Sequence, residues 1–262
     1  MAVVDEEIPL SGGNTNTGVV RVGDTVRRGI SRSSNTVQQL LLHLEAKGFS
    51  GSPRFLGLDD KNREILTFVP GETGVEPTIW TTIDPLVETA RMLRQYHDAT
   101  IDLVAVEPHW KFEHPKRSEH EVICHNDFAP YNFVFSGDRP CAILDFDLAG
   151  PGPRIWDVAY AAYWMTPLSF NAADMVSFAE ADITAGSPRL KLFCKTYYIP
   201  PDRALTETVA DVLRHMANEK AAQEILGVQA ARRLKQGGHF EHWQKEADAF
   251  QARLSQLQAN LA

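Results

Sequence analysis

Two periods divide the apolar residues of the chain: short runs of strand character up to about residue 70, and helical spacing over most of the remaining length. "GVVRVGDTVRRGI" holds two β-rich runs, 19–22 and 25–30, joined at Gly23-Asp24, which predicts a tight hairpin. In "SNTVQQLLLHLEAKGF", Val37, Leu40, Leu41 and Leu44 fall at i, i+3, i+4 and i+7. That spacing predicts an amphipathic helix, with Ser34 or Asn35 as N-cap and Gly48 as the stop. "FLGL" and "EILTFV" flank "DDKNR" as a second hairpin, and "PGETG" ends the pattern, so a boundary falls near Pro70. Residues 1–70 thus form a small β-rich lobe around one helix.

Residues 71–262 predict a larger, mostly helical lobe. Asp84 and Pro85 form an N-cap and N1 pair, and Leu86, Ala90, Leu93 and His97 share one face of the helix they start. The stretches 155–165, 171–181, 205–226 and 240–260 also carry helical spacing. Inside this lobe "NFVF" and "CAILDF" read as two short apolar strands separated by the turn "SGDRP". The fold class expected is α+β with two lobes.

Composition narrows the partners. The formal charge of −8 on 262 residues, with no clustered Lys and Arg for a phosphate backbone, argues against a nucleic-acid footprint, and solubility alone explains that charge equally well. Cys124, Cys141 and Cys194 are odd in number, widely spaced and set among apolar neighbours, so they read as reduced core residues of a cytoplasmic protein. The start "MAVVDEEIPL" lacks a basic segment before an apolar run, and no stretch approaches the ~20 apolar residues of a membrane span. No signal for an oligomeric state stands out.

The hairpin gives its polar residues a chemistry. Antiparallel pairing brings Asn132, at the start of one strand, to the same end as Asp145, near the end of the other. An amide carbonyl and a carboxylate, completed by waters and substrate phosphates, suit Mg²⁺. Asp127, on the loop "HNDFAPYN", is placed to orient or accept the proton of an attacking hydroxyl. His125 follows the apolar "EVIC" and reads as a buried hydrogen-bonding strut for that loop, while Asp138 belongs to the turn.

The order His125, Asp127, Asn132, Asp145 in "CHNDFAPYNFVF…AILDFDLAGPGPRIWDVAY" resembles the aminoglycoside phosphotransferase family of the protein-kinase-like superfamily. "MLRQYHDAT", at 92–100, is similar to the helix end that precedes that family's catalytic loop. The resemblance implies a two-lobed protein-kinase-like fold, ATP or GTP as phosphoryl donor with Mg²⁺, and a small-molecule hydroxyl as acceptor. It implies Asp127 as base, Asn132 and Asp145 as magnesium ligands, and Asp157 as a brace of the catalytic loop. Asn126 stands where the family usually has Gly.

The same resemblance assigns the small lobe. "SGGNTNTG", with Gly13 and Asn14, corresponds to a phosphate-covering loop, and Thr67, Phe68 and Val69 to the edge that meets the adenine. The phosphate-binding cation, usually Lys, corresponds to Arg28, two residues after Val26 on one strand face, or to Arg27 if the register slips by one. Its usual Glu partner is missing, since the helix offers Gln38 and Gln39 at its start and Glu45 only near its end. Residues 200–262 hold eight Asp or Glu against eight Lys or Arg, a balance that does not favour an aminoglycoside over other hydroxyl compounds. Substitution of the small-lobe Lys and Glu motivates the alternative reading, a degenerate nucleotide- or toxin-binding (immunity-type) protein without turnover, which the intact Asp127, Asn132 and Asp145 oppose.

Overall fold

The computed structural model describes residues 6–10, 18–74, 82–104 and 109–261, and Gly13 and Asn14 lie outside the described residues. The small lobe is a five-stranded antiparallel sheet of β1 (Ile8–Pro9), β2 (Val20–Val22), β3 (Thr25–Arg28), β4 (Phe55–Leu58) and β5 (Glu64–Thr67), in the order β1-β2-β3-β5-β4. The first predicted hairpin forms with Val22 opposite Thr25 and Gly23 at positive φ, but its second strand stops at Arg28, two residues short of the expected end. Helix α1 (Ser34–Ala46) packs on this sheet through buried Val37, Leu40, Leu41 and Leu44. Each leucine so buried contributes about 1.5–3 kcal/mol. Its N-cap is Ser33 rather than Ser34 or Asn35, because the Ser34 hydroxyl accepts the Ser31 N–H (2.8 Å) and already lies in the first turn.

Strand β6 (Glu72–Thr73) leads from the small lobe onto the second lobe, pairing its two residues with Phe135 and Val134. Gly71 permits that approach, since a Cβ there would sit 2.4 Å from the Phe135 carbonyl oxygen. Helix α2 (Asp84–Thr100) starts one residue earlier than expected: Ile83 is the N-cap and Asp84 the first helical residue. Its buried face carries Leu86, Ala90, Leu93, Tyr96 and His97. β7 (Val122–Cys124) enters the loop of His125 and Asp127, and β10 (Gly150–Gly152) pairs back on β7; β8 (Phe133–Ser136) and β9 (Arg139–Ile143) form the expected hairpin, but Ser136 pairs with Arg139, so its turn is Gly137-Asp138 rather than all of 136–140, and β9 ends at Ile143, before Asp145. Helix α3 (Arg154–Met165) follows the site, beginning one residue before its predicted range.

The remaining helices are α4 (Val176–Thr184), α5 (Pro188–Tyr197), α6 (Arg203–Met216), α7 (Glu219–Leu226), α8 (Val228–Gln236) and α9 (His239–Leu261). Three expectations change here. α4 begins at Val176, not at 171. The helix expected over 205–226 is two, because Asn218 leaves α6 and caps α7 through its side chain, accepting the N–H groups of Lys220 and Ala221. α5 and α8 were not predicted. The cysteines divide as well, with Cys124 and Cys194 buried but Cys141 exposed on β9. Among the described residues no helix is long and apolar enough to cross a membrane.

Candidate active site

The loop from His125 to Asn132 is held from behind by one buried carboxylate. Asp157, on α3, accepts the His125 N–H (2.7 Å), the Asn126 N–H (3.0 Å) and a ring N–H of His97 (3.0 Å). Burial raises its proton affinity, but these donors prevail and its pKa lies below the ordinary value. His97 is buried and its pKa is lowered, mainly by that burial, so the ring is neutral: Nε2 donates to Asp157 and Nδ1 accepts the Tyr197 hydroxyl (2.6 Å). Asn126 takes φ +63°, the left-handed region that Gly occupies freely and Asn tolerates. Its side-chain N–H also reaches the Leu148 carbonyl (2.9 Å), a tie Gly could not make.

His125 is fully buried, its Nε2 3.0 Å from the Leu144 carbonyl and its ring 4.7 Å from that of Phe146. Burial lowers its pKa, so the neutral ring links the loop to the end of β9. At that end the Leu144 N–H donates to the Asn132 carbonyl (2.8 Å), which sets Asp145 beside Asn132. Asn132 spends its side-chain N–H groups on the Asp127 carbonyl (3.0 Å) and on Asp127 Oδ2 (2.8 Å), leaving its own Oδ1 free to act as a ligand. The other carboxylate oxygen, Oδ1, accepts the Tyr131 hydroxyl, which lies 2.9 Å from that of Tyr160.

Asp145 sits at φ +59° and ψ +67°. Burial, with Asp147 and Asp127 nearby, pushes its pKa up to about 6 against the pull of Arg28. Among the described residues its Oδ1 is buried without a hydrogen-bond partner. An orphaned carboxylate oxygen beside an available amide carbonyl is the donor set a magnesium ion bound to phosphates needs, so these residues fit that ion.

Arg28, not Arg27, faces this cleft. Arg28 donates through Nε to Glu64 and through Nη1 to Asp147 Oδ1 (2.9 Å). Burial opposes its charge, yet Asp147, Glu64 and Asp145 together hold its pKa above the ordinary value. Glu64, on β5, is fully buried and takes a second hydrogen bond from Gln38 of α1 (2.8 Å). Arg27 lies on the opposite strand face against Thr25 and Asp59. The missing helical Glu is therefore replaced from the strand, a partner no helix pattern could reveal. Tyr131, Tyr160 and the Arg28–Asp147 contact also left no motif in the sequence.

Two cavities flank the loop. One, of about 430 Å³, lies between the lobes and is lined by Val26, Arg28, Leu66, Thr67, Phe68, Val69, Leu144, Asn132 and Asp145. Apolar side chains above and below and charged ones at one end suit a planar base joined to phosphates. Within it the N–H groups of Thr67 and Phe68 are already given to the Arg54 and Asp24 carbonyls (3.0 and 2.9 Å). The second, of about 200 Å³, opens on the other side of Asp127, and Tyr131 lines both. Gly150 keeps its wall in place, since a Cβ there would meet the Phe112 carbonyl oxygen at 1.8 Å.

The phosphotransferase enzyme family, APH, matches residues 101–193, the span that contains Asp127, the hairpin and Asp157. The trifolitoxin immunity protein of Rhizobium leguminosarum bv. trifolii is 33% identical over 197 residues, covering 72% of this chain and 74% of that protein. Among solved structures, the spectinomycin phosphotransferase APH(9)-Ia in complex with ADP and spectinomycin superposes with a TM-score of 0.58 at 12% identity, over 96% of this chain and 93% of that one. An aminoglycoside phosphotransferase from Alicyclobacillus acidocaldarius subsp. acidocaldarius gives 0.52 at 16% identity, over 98% of each. Those two likenesses establish the kinase-like fold, a small antiparallel sheet lobe joined to a larger helical one. With the family match and the rhizobial relative beside them, the chain belongs to the APH phosphotransferase enzyme family.

Proposed function

We propose that the protein transfers the γ-phosphoryl group of a nucleoside triphosphate to a hydroxyl of a small molecule, with Mg²⁺. The observation that carries this reading is the seam at Asp127 and Tyr131, where an inter-lobe cleft ending in Asn132, Asp145 and Arg28 meets a separate pocket. Donor and acceptor can then approach one carboxylate from opposite sides.

In this reading the base lies between the apolar residues of the cleft, and the Val69 N–H, which has no hydrogen-bond partner among the described residues, would meet its edge. Asn132 and Asp145 would hold Mg²⁺, which when bound supplies positive charge against the triphosphate oxygens. Arg28 has Nη2 left to donate to a phosphate while Glu64 and Asp147 fix the rest of its fork. Asp127 Oδ1, now occupied by the Tyr131 hydroxyl, marks the place for the acceptor hydroxyl. The acceptor oxygen forms its bond to the γ-phosphorus as the bond to the β–γ bridging oxygen breaks, and its proton passes to Asp127. His125 and Asp157 keep the loop in register as struts.

Acceptor-dependent release of nucleoside diphosphate tests the reading. Asp127→Asn should lower it by about 10²–10⁴-fold, the usual weight of a general base. Nucleotide binding with no acceptor-dependent release from any hydroxyl compound would count against it. The name of the rhizobial relative favours a second reading, a protein that neutralises a toxin by holding it. Cells expressing Asp127→Asn separate the two: retained protection supports holding, and lost protection with an intact fold supports transfer.

A further inference from the structure

The pocket beside Asp127 carries information about the acceptor. Its wall is built from Phe112, Leu148, Trp156, Val212, Ile225 and Leu226, with Met216 and Leu234 behind them. Among the described residues Asp127 is its sole carboxylate, and that group is committed to the transferred proton. The two imidazoles of the wall do not add charge. His215 packs against Phe112 (tilted, 5.4 Å) and edge-on against Trp156 (5.5 Å), and burial lowers the pKa of both His215 and His239, leaving them neutral at pH 7.

A second opening adjoins this pocket and shares Ile225 with it. Among the described residues Arg32 and Lys111 line it with one acid, Glu113, so this opening carries net positive charge. A polycation would meet like charge outside and apolar walls inside, where unpaired ammonium groups are costly. The pocket is half open, and its space of about 200 Å³ lies below the ~300–1,000 Å³ typical of sites for drug-sized ligands, so it seats a ring or short chain rather than several linked amino sugars.

We infer that the acceptor is an uncharged, largely apolar hydroxyl compound whose ring or chain seats between Trp156 and the α7–α8 helices, with its hydroxyl at Asp127. This rests on the phosphotransferase reading of Asp127.

The test uses the full chain with Mg²⁺, the fluorescent nucleotide mant-ADP, and two probes, 3-phenylpropan-1-ol as neutral alcohol and neomycin as polycation. The alcohol should change tryptophan emission saturably and neomycin should not at equal concentration. Leu226→Glu, and separately Leu234→Lys, should each weaken the alcohol by about tenfold or more, since each puts a charge into the wall. Both side chains are half-buried, so the fold tolerates the change, and a cooperative melt checks it. Tighter saturable binding of neomycin, no saturable response to the alcohol, or an alcohol response untouched by both variants overturns the inference while mant-ADP still binds. Failure of mant-ADP and Mg²⁺ to bind overturns the phosphotransferase reading instead.

Discussion

Replacing Asp145 by Asn should make the metal-free protein more stable at pH 8 while removing its affinity for magnesium nucleotide. The carboxyl is pushed from an ordinary 3.8 up to about 6 by burial and by Asp147 and Asp127. Each tenfold change in proton affinity is worth ~1.4 kcal/mol, so holding Asp145 ionised in the metal-free fold costs about 3 kcal/mol. The attraction of Arg28 is already included in that net displacement. Because the folded pKa is the higher one, the folded chain binds this proton more tightly than the unfolded chain. The stabilising contribution is therefore complete below about pH 4 and lost as pH rises through 6. Asn has no charge to bury, nearly the same shape, and tolerance for the left-handed φ of +59° found here.

The expected gap between Asp145→Asn and the unaltered chain is near zero at pH 4 and grows to about 3 kcal/mol at pH 8, or roughly 6–12 °C in Tm for a chain of this size. Thermal melts of both proteins in EDTA across that range measure it. Adding Mg²⁺ and ADP should raise the Tm of the unaltered chain and leave the variant unmoved, because binding to the folded state alone stabilises it. A Tm gap of equal size at pH 5 and pH 8 would refute the electrostatic origin, and an Asn variant less stable at pH 8 would refute the penalty itself.

The buried Arg28–Glu64 pair gives a second expectation. Arg28→Leu leaves Glu64 uncompensated and should cost about 3–5 kcal/mol in urea unfolding, whereas adding Glu64→Leu should recover much of it, a coupling read from a double-mutant cycle. Asp157→Ala strips three buried donors of their acceptor and should destabilise by at least ~3 kcal/mol, seen as a loss of cooperative melting near physiological temperature. Tyr131→Phe removes the hydroxyl now seated on Asp127 Oδ1. Since hydrogen bonds to charged groups are worth about 1.5–3 kcal/mol and the Tyr160 hydroxyl stays 3.4 Å from the same oxygen, the acceptor KM should fall by at least about tenfold, the low end of that range, with kcat little changed, and an unchanged KM would show that Tyr131 does not compete for that place.

Legibility in the sequence depends on which interactions are local. The β2–β3 hairpin and the apolar face of α1 repeat within a few residues, and the hairpin of β8 and β9 places Asn132 beside Asp145 through one short turn. Strand alternation also put Arg28, rather than Arg27, on the face shared with Val26 that turns to the cleft. The split between α6 and α7 was hidden because Asn218 falls where the apolar period continues, and capping chemistry alone breaks the helix. Contacts across the chain left no pattern at all: Glu64 lies 36 residues from Arg28, and Tyr131 meets Tyr160 across 29.

The relocated ion pair shows why that matters for function. A cation anchored by a helical Glu can be released whenever the helix moves. Here the carboxylate stands on β5, directly opposite Arg28 in the β3–β5 register, and α1 contributes only the neutral amide of Gln38. Moving α1 would thus cost a hydrogen bond to Glu64 rather than the charge pair, so the cation stays poised over the cleft whatever the helix does. Gln38→Ala should accordingly lower stability by about 1–2 kcal/mol and leave the nucleotide Kd within about twofold, measured by mant-ADP titration. A tenfold loss of nucleotide affinity in that variant would mean that α1, and not the strand pair, sets the position of Arg28.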